Sequence, residues 1–156
     1  MKFSAQEEYG LRCLLRLARL KEKESLTIAE MARLEEMTEP NTAKILRALR
    51  MGGFITSARG QTGGYSLARP PEEIRLSAVM RRLGGRLFDE EFCDRYGGPG
   101  ICTHEMDCSV KSLWVLLQEA VDQVLEDLTL ADLLEDLSRY PLTRSRRSSR
   151  KALSLS

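Results

Sequence analysis

Between Met51 and Phe54 the sequence changes its period, and that change limits the folds open to it. Before Met51 the apolar residues recur at helical spacing, and after the pair Gly52-Gly53 they alternate. Ser4-Ala-Gln-Glu7 forms a capping box ahead of Leu11, Leu14, Leu15 and Ala18, which predicts a first helix. Residues 21–25 are a polar loop. A second capping box, Thr27-Ile-Ala-Glu30, opens a short helix with Ile28, Met31 and Ala32 facing inward. After a turn at 35–38 a third helix runs to Met51. It carries Pro40 in its first turn, where a missing N–H costs nothing, and buries Ile45, Leu46 and Leu49. Beyond the glycines, residues 54–58 read as a strand, 59–64 as a Gly-rich turn and 65–68 as the returning strand, which Pro70-Pro71 ends. Ser77 is expected to cap a fourth short helix over 78–83, closed by Gly84-Gly85.

Helix, helix–turn–helix, then a glycine-tipped hairpin is the order of a winged helix–turn–helix domain. The expected fold is mostly α with a small β-hairpin wing. Residues 27–51 supply the two-helix unit and 38–51 the recognition helix. Thr38, Asn41, Thr42, Lys44, Arg47 and Arg50 are expected on its exposed face, where amide, hydroxyl and cationic groups suit base edges and phosphates. In the wing, Arg59 precedes Gly63 and Gly64, whose backbone permits close approach. A cation presented so suits a narrow, electronegative minor groove. Charge supports this reading. Residues 38–69 carry five basic side chains against the single acid Glu39, although the net charge of the whole chain is only +1. Arginines on a helix face are ordinarily just solvated, so the ordered set carries the inference and no single residue does.

Three of the four cysteines fall within sixteen residues, Cys93, Cys102 and Cys108, and the only histidine, His104, lies among them. Thiolates on a Gly/Pro-rich loop can converge on a soft metal or an iron–sulfur centre. Two other readings stand beside that one. Cys93, Cys102, His104 and Cys108 make a Cys₃His set for structural zinc, although the short Cys-x₂-Cys knuckle is missing. A metal-free thiol switch is the other. Catalysis by a cysteine nucleophile finds no base-and-orienter set, so an enzyme is not expected. Cys13 sits among the leucines of the first helix and reads as a small buried hydrophobe.

From about Cys108 a long helix carries Val110, Trp114, Leu117, Val121, Val124 and Leu128 at spacings of 4, 3, 4, 3 and 4, a coiled-coil seam. Such a seam needs a cover, either the chain's own body or a second copy, and a homodimer is the favoured reading. Thr129 reads as a fresh N-cap for a short final helix with Leu133, Leu134 and Leu137. The chain thus divides into a DNA-binding domain at 1–86, a cysteine-rich loop at 87–107, a dimerisation helix region at 108–138 and a basic, disordered tail at 139–156. No apolar run is long enough to span a bilayer and the start lacks a signal-peptide core, so a cytoplasmic location is expected.

The stretch Arg59-Gly-Gln-Thr-Gly-Gly-Tyr65-Ser-Leu-Ala-Arg-Pro70-Pro-Glu-Glu-Ile74 resembles the wing and exit of the IscR/NsrR-type regulators, the Rrf-two family. So do the opening Met-Lys-Phe-Ser, Tyr9-Gly-Leu-Arg-Cys-Leu-Leu-Arg-Leu-Ala18, and the helix from Cys108 to Leu137. The similarity covers about residues 1–137. It implies a dimeric transcription factor whose wing arginine enters the minor groove of a double-stranded operator, and many members carry an iron–sulfur cluster on three cysteines placed as here. The gaps of eight and then five residues differ from the equal gaps of better-known members. The extra length falls in Gly97-Gly98-Pro99-Gly100, which leaves a 2Fe–2S centre favoured and 4Fe–4S open. The resemblance places an acidic fourth ligand at Glu8, and His104 is its rival. As an ordinary surface residue Glu8 would pair with Arg12 at i,i+4.

Overall fold

The computed structural model describes residues 4–58, 63–85, 109–135 and 137. Arg59, Cys93, Cys102, His104, Cys108 and the tail at 139–156 lie outside the described residues. The helical half follows its capping signals. Helix α1 spans Ala5–Ala18 and α2 spans Ile28–Leu34, and both capping boxes form, Ser4 with Glu7 and Thr27 with Glu30. Helix α3, Glu39–Met51, begins with Pro40 in its first turn and ends at Gly52. Gly53 then takes φ +74°, a left-handed conformation that turns the chain sharply from helix into hairpin.

The hairpin pairs β1, Ile55–Ser57, with β2, Tyr65–Leu67, antiparallel, in the register Ile55 to Leu67 and Ser57 to Tyr65. It is fastened to the helical layer by a third partner. Leu26 donates to the Tyr65 carbonyl at 3.0 Å and accepts from the Tyr65 N–H at 2.7 Å. The core lies where α1, α2, α3 and the hairpin meet. Cys13, Leu14, Leu17, Met31, Ile45, Leu46, Leu49 and Ile55 are all buried there. Burying a side chain of that size from water contributes about 1.5–3 kcal/mol, which outweighs the propensity of helices this short.

Helix α4 spans Leu76–Leu83 and starts earlier than the Ser77 cap predicts, with Arg75 as its N-cap. The reason is a long-range backbone pairing. Leu76 donates to the Leu128 carbonyl at 3.0 Å and Leu130 donates to the Ile74 carbonyl at 2.8 Å, which draws Leu76 into the core and starts the helix there. The same pairing anchors the end of the long helix α5, Ser109–Asp127, just before α6, Leu130–Leu134. Thr129 caps α6 as expected, in a capping box with Asp132.

The seam of α5 is divided in a way its spacing does not reveal. Leu128 is buried and Leu117 and Val121 are half-buried on the chain's own body, whereas Val110 and Val124 are exposed. A neighbouring stripe of Leu113, Leu116, Ala120 and Val124, which shares Val124 with the seam, is left uncovered, and Leu116 is 62% exposed. On a helix of 3.6 residues per turn this stripe is rotated by about 75° from the seam. Among the described residues no helix is long and apolar enough to cross a membrane.

Candidate nucleic-acid interface and metal-ligand positions

On α3 the side chains of Asn41, Lys44, Arg47 and Arg50 are exposed at i+3 spacing, so they form one stripe that winds along the helix. Among the described residues none of the three cations takes part in an ion pair. Their charge therefore faces solvent without an internal counter-charge, which is the state that favours polyanion binding. Thr38 is the N-cap of α3, exposed, and its hydroxyl makes no cap bond. That hydroxyl can serve a phosphate at the positive end of the helix.

Thr42 departs from its expected place. Its side chain is fully buried, and the hydroxyl donates to the Thr38 carbonyl at 2.9 Å. The helix turns it inward beside Ile45 and Leu46, because it stands three, four and seven positions before Ile45, Leu46 and Leu49 and so falls inside the arc that those core residues mark. Gly64 is also inside, unlike Gly63, which is exposed. A Cβ on Gly64 would sit 2.7 Å from Ser25 Oγ and 2.9 Å from the Leu26 backbone. The residue is thus needed for the Leu26–Tyr65 pairing at the base of the wing. Between the start of α2, Glu39 and the wing base runs an open groove of about 440 Å³, lined among others by Thr27, Ser57, Gly63 and Tyr65.

The wing is set against α3 by Arg69. Its Nη2 donates to the Gly53 carbonyl at 3.3 Å and its guanidinium lies 6.0 Å from the Phe54 ring centroid. The turn of the helix–turn–helix is tied to α1 by Arg16, whose Nε and Nη2 lie 2.8 Å and 2.7 Å from Oε1 of the buried Glu35. Arg16 Nη2 also reaches the Leu34 carbonyl at 3.5 Å, where α2 ends. Sequence reading missed these two arginines as positioning groups. Their partners stand 16 and 19 residues away, beyond any local pattern.

Of the expected metal ligands only Glu8 is among the described residues. It is exposed on α1, with Oε1 3.5 Å from Arg12 Nη2, so the surface pair that competes with a ligand role does form. Its other oxygen has no partner among the described residues, and an exposed carboxylate is chemically fit to donate to iron. No group of three or more metal-binding side chains occurs among the described residues. The neighbouring Glu7 is buried against Gly84, so the first turn of α1 touches the chain as it leaves α4 for the cysteine segment. Cys13 is fully buried, and desolvation, reinforced by the nearby Glu35 carboxylate, pushes its thiol up to about 12. It is an inert packing group, as its place among the leucines implies.

Known proteins share the sequence family and fold of this chain. Residues 3–136 match the Rrf2 family, described as iron-dependent transcriptional regulator. The HTH-type transcriptional regulator NsrR of Geobacillus kaustophilus is 36% identical over 139 residues, covering 87% of this chain and 91% of the relative. Among solved structures, IscR of T. potens superposes with a TM-score of 0.67 at 28% identity, covering 87% of this chain and 88% of that one. CymR, the global cysteine regulator of B. subtilis, gives 0.68 at 26% identity, with 86% and 97% covered.

Proposed function

Because the chain belongs to the Rrf2 family of DNA-binding transcriptional regulators, and so is no enzyme, we propose that it is a cytoplasmic homodimer whose grip on an operator is set by an iron–sulfur cluster. The observation that carries this reading is the place of the three thiols. Cys93, Cys102 and Cys108 lie between α4, which is packed on α1 and α3, and α5, which bears an uncovered apolar stripe. Whatever orders that segment acts on both the DNA-reading module and the face available to a second copy.

Each side chain then has a task. Thiolates of Cys93, Cys102 and Cys108 hold the group and Glu8 offers a fourth donor, with His104 as the rival. When bound, a 2Fe–2S or 4Fe–4S centre supplies a redox- and nitric-oxide-sensitive bond set that cross-links its ligands. Lys44, Arg47 and Arg50 neutralise phosphates, Asn41 offers an amide to a base edge, Thr38 binds backbone at the start of α3, and Arg59 beside Gly63 enters the minor groove. Leu113, Leu116, Ala120 and Val124 cover the same stripe on a second copy, which spaces the two recognition helices. The reducing cytoplasm keeps the thiols free for metal. A shift of a few kcal/mol between an ordered and a released segment is enough to change operator occupancy.

The test is anaerobic purification followed by visible absorbance, EPR and metal analysis, with DNA affinity measured in parallel. A coloured protein with thiolate-to-iron bands, whose DNA affinity changes in Cys102→Ala, supports the proposal. Stoichiometric zinc, or no metal together with a reversible disulfide, would replace the cluster by a structural site or a thiol switch.

A further inference from the structure

Three consecutive residues at the end of α4 hold three parts of the molecule together. Arg82 Nε donates to the Ala48 carbonyl in the last turn of α3 at 3.1 Å, and its stem packs beside Gly52, where an added Cβ would lie 3.1 Å from Arg82 Cγ. Leu83 is gripped by α1. Its carbonyl accepts from Gln6 Nε2 at 2.7 Å, and its side chain fills the space that the missing Cβ of Gly10 leaves. Gly84 is in contact with the buried Glu7, also of α1. After Gly85, at φ +78°, the chain continues toward Cys93.

The carbonyls in the last turn of a helix keep at least one free lone pair and carry the negative end of the dipole, so a guanidinium bound there is both a hydrogen-bond donor and a favourable charge. The chain uses this bond repeatedly. Arg75 Nη1 donates to the Glu126 carbonyl at the end of α5 at 2.9 Å, and Arg16 binds at the end of α2. Arg82 alone among these places its guanidinium on the recognition helix. The Ala48 carbonyl also accepts from Gly52 N–H at 3.0 Å, so it is not orphaned when Arg82 is removed. The bond is therefore of small consequence for folding, while it adds a directional tie between the end of α3 and α4, which also pack directly on one another.

We infer that the turn Arg82–Gly84 is the joint through which the cysteine segment sets the position of the recognition helix, with Arg82 as its positioning residue. The inference rests on the sensing role proposed above. A shift of the chain beyond Gly85 is carried into α4, because α1 holds Leu83 and Gly84 from one side. It reaches α3 through Arg82 on the other. The relay is mechanical and needs no group of the cysteine segment to touch DNA.

The experiment is a double-mutant cycle on the full chain, purified anaerobically, with a duplex recovered by the wild-type protein from a randomised library. Cys102→Ala is combined with Arg82→Gln, with Gln6→Met, and with Arg81→Gln as a control for the lost charge at an exposed neighbour. In the wild-type background Cys102→Ala is expected to change DNA affinity by roughly 5- to 150-fold, the usual range of coupling between two sites. In Arg82→Gln and in Gln6→Met that response falls to within about twofold, and in Arg81→Gln it persists. A full response in either joint variant would overturn the joint and leave the sensing role standing, and so would its loss in Arg81→Gln. No response in the wild-type background would overturn the sensing role and the joint with it.

Discussion

Thr42 is the residue at which the expected DNA contact and the structure disagree most usefully, and Thr42→Val decides between them. As a base-reading group its loss would cost about 1–3 kcal/mol, or roughly 5- to 150-fold in affinity for the preferred operator. The structure gives the side chain a different role. It is fully buried and its hydroxyl donates to the Thr38 carbonyl at 2.9 Å. That carbonyl also accepts the Thr42 N–H at 3.0 Å, so removing the hydroxyl orphans nothing. The variant loses one neutral hydrogen bond, about 0.5–1.5 kcal/mol, and gains a buried methyl, about 0.8 kcal/mol. Stability is expected to change by less than about 1 kcal/mol in a urea melt, and operator affinity by less than about twofold in fluorescence anisotropy. A loss of tenfold or more in affinity, with the melt unchanged, would refute the inward placement. Asn41→Ala, one residue earlier and exposed, supplies the contrast with an expected loss of about 1–3 kcal/mol and a relaxed preference at one base pair.

Four other outcomes follow from the same geometry. Lys44→Ala, Arg47→Ala and Arg50→Ala should each lower the slope of log affinity against log salt by about 0.9, because each unpaired cation releases about one counterion, and a salt titration reads this directly. Leu116→Glu combined with Leu113→Glu should yield monomers by sedimentation with the helix content retained, since both side chains are already exposed and a charge there harms only a second copy. Cys13 should resist iodoacetamide in the native chain and react once urea unfolds it, as peptide mass spectrometry will show. Its raised thiol also makes stability fall with rising pH. The unfolded thiol ionises from about 8.5 upward, whereas the folded one holds its proton to about 12. The contribution is therefore complete below the unfolded value and is lost as pH climbs toward the folded one. Cys13→Ala should flatten that decline.

What could be read from the chain was whatever its local physics settles. The capping boxes at Ser4 and Thr27 and the N-cap at Thr129 are bonds across three residues, and all of them form. The change of period at Gly52-Gly53 is equally local, and it located the wing. The misread positions depend on what lies across from them. Ser77 reads as a cap, but Leu76 is already in the core because Leu128 and Leu130 pair with the chain around it, more than fifty residues later. Gly64 reads as freedom for the wing, yet its lack of a side chain makes room for Ser25 and Leu26. Arg16, Arg69 and Arg82 carry no local signal of a partner, and each binds a carbonyl at the end of another element.

The long helix shows why a correct pattern can still point in the wrong direction. A 4, 3, 4, 3 spacing establishes that some face of a helix is apolar, but it does not say what covers that face. Here the body of the chain takes Leu117, Val121 and Leu128 for itself through α4 and the Leu76–Leu128 backbone pairing. What is left for a second copy is the neighbouring stripe of Leu113, Leu116, Ala120 and Val124. The helix is apolar over more of its circumference than one contact requires, and that excess is the physical argument for two contacts. One holds the arm to its own DNA-reading module through α4, and the other is the contact with a second copy that we propose. In the proposed dimer an arm so shared would not be displaced at one contact without moving the other, which would give the chain preceding Ser109 leverage on dimer geometry as well as on the recognition helix.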